Sequence, residues 1–75
     1  MKGLLEFIAK ALVDHPDQVT VTVRDTDSAT VLELHVAEGD MGKVIGKQGK
    51  IAKAIRTVIR SASVKEPKKV LVEIV

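Results

Sequence analysis

The sequence predicts an α+β domain in the order α-β-β-α-α-β, with three helices packed on one face of a three-stranded mixed sheet. Three features of the pattern lead there. Apolar residues recur at helical spacing at the start of the chain and again after residue 48. Three other stretches alternate apolar and polar residues with a period of two. The first two of these stretches lie close enough for a hairpin, whereas the second and third are separated by two helical segments. A connection that long makes a right-handed crossover between parallel strands. The 75 residues form one domain, residues 1–75. A chain this short buries roughly 60% of its unfolded surface, enough for one core and little more.

Each element has its own warrant. Leu4, Leu5, Ile8, Ala11 and Leu12, with Phe7 flanking, share one side of a helical wheel, while Lys2, Glu6 and Lys10 lie elsewhere. Residues 1–12 therefore read as an amphipathic helix. Asp14-His15-Pro16-Asp17 ends it, because the residue before a proline is pushed out of the helical region. Val19-Thr20-Val21-Thr22-Val23 is a half-buried strand rich in β-branched residues, and Asp25-Thr26-Asp27-Ser28 supplies turn chemistry. Residues 30–36 resume the alternation, with Leu32, Leu34 and Val36 on one face. Glu38-Gly39-Asp40 breaks the strand and offers Asp40 as N-cap for a short helical turn over residues 41–44. After Gly46-Lys47-Gln48-Gly49 a longer helix runs from about residue 48 to 62. On its wheel Ile51, Ala52, Ala54, Ile55, Val58, Ile59 and Ala62 share no position with Lys50, Lys53, Arg56 and Arg60. Residues 63–69, holding Pro67, form a loop, and residues 70–75 alternate around Glu73 as a third strand. Phe7 and Met41 are read as core.

Composition narrows the function classes. The absence of cysteine excludes disulfides, thiolate metal sites and thiol chemistry. No apolar run approaches the ~20 residues of a membrane span, and the N-terminus lacks a signal-peptide pattern, so an intracellular protein is expected. His15 and His35 are isolated and read as surface or corner residues, with no metal site. Asp25 and Asp27 belong to a turn, and Ser61 and Ser63 have no histidine near them in sequence. No catalytic set is visible, so neither an enzyme nor a cofactor is expected. Phe7 is the only aromatic residue, which removes any mechanism built on stacking bases against rings. Charge is segregated instead: residues 1–42 carry a net −5 and residues 43–75 a net +7. Such asymmetry is the footprint of a polyanion binder.

Residues 43–50, Lys-Val-Ile-Gly-Lys-Gln-Gly-Lys, carry the functional reading. Two glycines bracket two polar residues between a short helix and the start of a long one. Glycine lets backbone approach a phosphate and take dihedral angles other residues avoid. The following helix presents unpaired N–H groups and its positive dipole end at the same point. Lys47 and Lys50 add point charges, Lys43 and Lys53 lie near in sequence, and Gln48 shares the loop tip. Val44 and Ile45 are expected to line a shallow groove against which a base lies flat. The spacing alone also fits a helix corner where one glycine caps and the other relieves packing. The Walker and dinucleotide phosphate loops need other spacings and are absent.

The whole string Val44-Ile45-Gly46-Lys47-Gln48-Gly49-Lys50-Ile51-Ala52-Lys53-Ala54-Ile55 resembles the signature of the KH (K-homology) domain, V-I-G-x-x-G-x-x-I-x-x-I, whose GXXG loop clamps about four nucleotides of backbone. It departs at Ala52, where isoleucine is usual, a change read as smaller packing. The element order resembles the type II, prokaryotic arrangement. Leu34-His35-Val36-Ala37, the run from Asp40 to Gly49 and Ile51 to Thr57 are similar to the bacterial KhpA family of stand-alone KH proteins, over essentially the whole chain. That resemblance implies a cytoplasmic protein that binds single-stranded RNA and acts as an RNA chaperone. It implies a second KH protein of the KhpB, Jag or EloR type, or a homodimer, as partner, and a part in cell-wall biogenesis and cell shape. RNA binding then rests on Lys43, Val44, Ile45, Gly46, Lys47, Gln48, Gly49, Lys50 and Lys53. The alternative is a KH-shaped interaction module that dimerises through apolar surfaces and binds little RNA itself.

Overall fold

The computed structural model describes residues 1–75. It contains α1 (Lys2–Leu12), β1 (Thr20–Asp25), β2 (Ala29–His35), α2 (Met41–Ile45), α3 (Lys50–Ala62) and β3 (Lys69–Ile74), with single 3-10 turns at Pro16–Gln18, Glu38–Asp40 and Lys47–Gly49. The sheet order is β1-β2-β3, with β1 antiparallel and β3 parallel to β2. The α+β arrangement is the one the sequence predicts, with element ends moved by one or two residues. The β1–β2 turn is closed by Thr26, whose hydroxyl donates to the Ala29 carbonyl and accepts from the Ala29 N–H, both at 3.0 Å.

Alternation along the strands builds the core. The register aligns Val21, Leu34 and Ile74 in one row and Val23, Leu32 and Val72 in the next. Leu5 and Ala9 of α1, Val44 of α2, and Ile55 and Ile59 of α3 pack against this face. The opposite face is polar: Arg24 pairs with Glu33 at 3.4 Å and with Glu73 at 3.7 Å. Val31 is buried even there, between Arg24 and Leu71 in register, because a central strand is screened from both sides.

Two expectations about the helices are corrected. Phe7 is 72% exposed and is not core. The inward direction of α1 is set by Leu5 and Ala9, and Phe7 stands about 200° around the helix from Leu5. In α3 the buried residues are Ala52, Ile55 and Ile59, so Ala54, Val58 and Ala62 face outward. The apolar arc is wider than the surface that the sheet and α1 cover. Met41 is half-buried against the core, as expected. No helix is long and apolar enough to cross a membrane.

Candidate nucleic-acid interface

The loop between α2 and α3 spans four residues, and three of them take positive φ. Gly46 lies at φ 76°, ψ 171°, Gln48 at φ 59°, ψ 24°, and Gly49 at φ 75°, ψ 15°. The Gly46 N–H closes α2 on the Gly42 carbonyl at 2.8 Å, and the Gly49 N–H bonds the Gly46 carbonyl at 3.1 Å. The helix expected from residue 48 thus starts at Lys50, because residues 48 and 49 are left-handed. Gln48 was not recognisable as such a residue: an L side chain there costs roughly 1–2 kcal/mol.

The two glycines do different work. A Cβ on Gly46 would stand 2.6 Å from Ile51 Cγ1, so its bare side is filled by the first turn of α3. Its ψ also puts it in a region essentially reserved for glycine. Gly49 has open space on its Cβ side. Close approach by another backbone is therefore available at Gly49, while Gly46 serves packing, the role the spacing alone allows for one of the pair.

Around this corner Lys47, Gln48 and Lys50 are exposed, and Lys53 lies one turn further along α3. Lys47, Lys50 and Lys53 form no ion pair, so their charge is uncompensated at the positive end of the α3 dipole. The unpaired N–H groups expected at this helix start are corrected in part: the Gly49 and Lys50 N–H groups are taken by the Gly46 and Lys47 carbonyls of the preceding 3-10 turn. Lys43 is engaged: its Nζ lies 3.4 Å from Asp14 Oδ2. Ile45 is 37% exposed beside the loop. Val44 is a correction. Its side chain is fully buried in the core, so it anchors α2 and does not line a groove. Ala52 is buried, and Ile51 lies against the bare side of Gly46.

Asp40 also departs from expectation. It precedes α2, but its carboxylate makes no cap hydrogen bond there. It is buried and turns instead to His15, accepting the main-chain N–H at 2.9 Å and lying 3.1 Å from Nδ1. Burial pushes this carboxyl up. Hydrogen bonds from the His15 ring and from the His15 and Asp14 main chain outweigh that and hold it below the usual carboxylate range. His15 is thus a corner residue with a defined partner, and no group of three or more acidic and histidine side chains is placed to hold a metal. Ser63 Oγ donates to the Arg60 carbonyl at 3.1 Å at the end of α3.

A second feature escaped the sequence pattern. Between α3, residues 63–68 and the outer edge of β3 runs an open groove of about 790 Å³, lined by Arg56, Arg60, Val64, Pro67, Lys69 and Val72 among others. Arg56 leaves the basic stripe and donates Nε–H to the Val72 carbonyl at 3.2 Å. The groove wall is pinned by Lys68, which donates to Asp25 Oδ1 at 3.3 Å and to the Thr26 carbonyl at 2.9 Å. Hydrogen bonds from Thr30 and then Lys68, with the Lys68 charge, hold Asp25 below the usual carboxylate range. Only pairing across 42 or more residues brings these groups together.

The family profile for the KhpA/KhpB KH domain matches residues 2–74. The RNA-binding protein KhpA of Clostridium acetobutylicum is 64% identical over 75 residues, covering all of both chains. KhpA of Listeria monocytogenes is 48% identical over 75 residues, covering all of this chain and 99% of the relative. Among solved structures, the fold resembles part of Era from Aquifex aeolicus bound to GDP.AlF4-, with a TM-score of 0.69 at 20% identity. It likewise resembles part of Era in complex with MgGDPNP and a segment of 16S ribosomal RNA, at 0.67 and 21%. Each match covers 97% of this chain and 28% of the Era chain.

Proposed function

The chain belongs to the KhpA/KhpB KH-domain family, and from that membership we propose that it binds single-stranded RNA, with the loop from Gly46 to Gly49 clamping the sugar-phosphate backbone. The observation that carries this reading is the left-handed corner at Gln48 and Gly49, open to solvent at the start of α3 and flanked by the unpaired Lys47, Lys50 and Lys53. The positive end of the α3 dipole and the lysine point charges converge there without an ion-paired carboxylate to compete. Without aromatic platforms, one domain holds RNA weakly and sequence-tolerantly, so useful affinity needs a second RNA-binding surface. A second KH protein of the KhpB, Jag or EloR type, or a second copy of this chain, would supply it. RNA chaperone activity in the cytoplasm, serving cell-wall biogenesis and cell shape, is the role this reading takes from the family resemblance.

A second reading, a KH-shaped interaction module with little RNA binding of its own, draws on apolar exposure. Phe7 is 72%, Val58 46% and Val64 78% exposed. The two readings are compatible, and sizing the protein with and without RNA separates them.

The test of RNA binding is titration of a short unstructured RNA at two salt concentrations, comparing the wild type with Lys47→Asp/Gln48→Asp. Aspartate tolerates a left-handed backbone, so the double variant reverses charge without forcing the loop out of shape. Salt-sensitive binding by the wild type and its loss in the variant are expected. Equal affinities, or no salt dependence, would remove the clamp.

A further inference from the structure

Asp40 is the one buried charged side chain of the molecule, 1% exposed. Neither helix capping nor contact with a ligand accounts for that charge: it makes no cap hydrogen bond to α2, and it is closed off from solvent. A buried carboxylate is costly unless hydrogen bonds satisfy it, and those it receives come from the corner after α1. Its Oδ2 accepts the His15 main-chain N–H at 2.9 Å and lies 3.1 Å from the ring Nδ1. The other tie between this corner and α2, Lys43 to Asp14 at 3.4 Å, is exposed at both partners and weak. Asp40 thus joins two segments separated by 25 residues, at the point where the chain enters α2.

Resting on the RNA-binding reading above, we propose that Asp40 is a positioning residue for the clamp: it sets the direction of α2, and with it the place of the loop from Gly46 to Gly49, without touching RNA. The lever is short. α2 has five residues, about 7.5 Å along its axis. Met41 and Val44 hold it to the core, but apolar packing is non-directional and leaves its tilt free. A tilt of about 10° at Asp40 carries the Gly46 end by about 1.3 Å, more than a hydrogen bond to a bound strand tolerates. Gly46 lies against Ile51, so such a change reaches the loop and the first turn of α3 together. The hydrogen bonds at Asp40 are directional and remove that freedom.

Two simpler roles predict other outcomes. As an acid beside a polyanion site, Asp40 would repel RNA, and its removal would tighten binding. As a stabiliser of the fold alone, its removal would lower the melting temperature and leave the affinity of the folded protein unchanged. A positioning residue lowers the affinity of the folded protein. It leaves the contacts of Lys47, Lys50 and Lys53, and hence the salt dependence, in place.

The experiment is fluorescence anisotropy with a labelled oligouridine of about ten nucleotides, longer than the roughly four that such a loop clamps. It is run at several salt concentrations, below the melting transition of each protein. Asp40→Ala should weaken binding about tenfold, with a salt slope near that of the wild type. Asp40→Asn keeps an acceptor for the His15 N–H and should fall between the two. Glu38→Gln removes an exposed acid that forms no ion pair, two residues before Asp40, and should match or exceed the wild type. Val21→Ala, a core truncation on β1, should lower the melting temperature and keep the wild-type affinity. In amide spectra of Asp40→Asn, shifts should extend from the corner through residues 41–49. Binding by Asp40→Ala as tight as that of the wild type, or tighter, overturns the positioning role alone. So does a weakened Val21→Ala, since affinity would then follow stability, or a loss in Asp40→Ala with a shallower salt slope, which would lie in the lysine contacts. If Asp40→Ala does not fold, Asp40→Asn is judged by the same outcomes. A wild type that does not bind the RNA overturns the RNA reading itself, and wild-type affinity in Lys47→Asp/Gln48→Asp overturns the clamp.

Discussion

Asp40 accepts the main-chain N–H of His15 at 2.9 Å across 25 residues of sequence, and this contact fastens the corner after α1 to the residue that leads into α2. Because α2 has only five residues, it has little helical stability of its own. Its direction is set by what holds its two ends: Asp40 at one and the packing of Gly46 on Ile51 at the other. The loop from Gly46 to Gly49 is aimed by that pair of anchors.

A dependence on acid follows from the Asp40 anchor. A carboxyl held below its ordinary range in the folded state contributes stability that is present above the unfolded pKa and is lost as pH falls through the folded one. Asp40 and Asp25 are both lowered. Urea midpoints should therefore change little on their account from neutral pH to about pH 5 and fall below about pH 4. Asp40→Asn should lower the midpoint at pH 7 and flatten the acid limb, converging on the wild type at the acid end. An acid limb of unchanged steepness in both Asp40→Asn and Asp25→Asn would show that other groups carry it.

The two loop glycines should respond unequally to the same change. Gly49→Ala places a Cβ in open space and bears only the left-handed backbone penalty of roughly 1–2 kcal/mol, and Gly49→Asn should lose less. Gly46→Ala adds a contact of 2.6 Å with Ile51 to a backbone geometry reserved for glycine, so its loss should exceed that of Gly49→Ala by about 1–3 kcal/mol. Gly46→Asn should give no relief. Chemical denaturation of the four variants checks the order, and equal losses at the two positions would mean that the packing on Ile51 is not tight.

How much of this was legible beforehand depends on whether the determinant is local. Strand alternation at Val19–Val23 and the crossover length gave the sheet, because period and chain length act locally. The loop was legible because glycines and lysines sit within one short segment. Phe7 misled because a helix wheel with apolar residues on most of its circumference does not say which side meets the sheet; Ala9, small and easily overlooked, marks the inward direction. Asp40 misled for a different reason. A capping position was correct in sequence, but a donor 25 residues away took the carboxylate. The groove beside β3 and the Arg56 tether depend on pairing between α3 and a strand formed after it, which no local pattern encodes.

Gln48 should be replaceable with profit. Its left-handed backbone costs roughly 1–2 kcal/mol, and glycine would remove that while adding about 0.5–1 kcal/mol of unfolded-state entropy. Gln48→Gly should therefore gain about 0.5 kcal/mol, and a β-branched residue such as Gln48→Val should lose stability. Urea unfolding reads both. A neutral Gln48→Val would indicate that the loop relaxes out of the left-handed region without cost.

Lys43 and Lys47 carry the same charge and flank the same loop, yet they should contribute differently to RNA affinity. Lys43 lies 3.4 Å from Asp14, whereas Lys47 has no acidic neighbour. A phosphate that meets Lys43 must compete with a carboxylate. A phosphate that meets Lys47 displaces only counterions, and each such contact on a single strand adds about 0.7 to the slope of log affinity against log salt. Lys47→Gln should lower that slope by about this amount, and Lys43→Gln by clearly less. Asp14→Asn frees Lys43 and should tighten RNA binding, with the gain absent in Asp14→Asn/Lys43→Gln. Titrations at three or more salt concentrations give the slopes. If Lys43→Gln flattened the slope as much as Lys47→Gln, the ion pair with Asp14 would be open in solution and Lys43 a full member of the RNA-binding set.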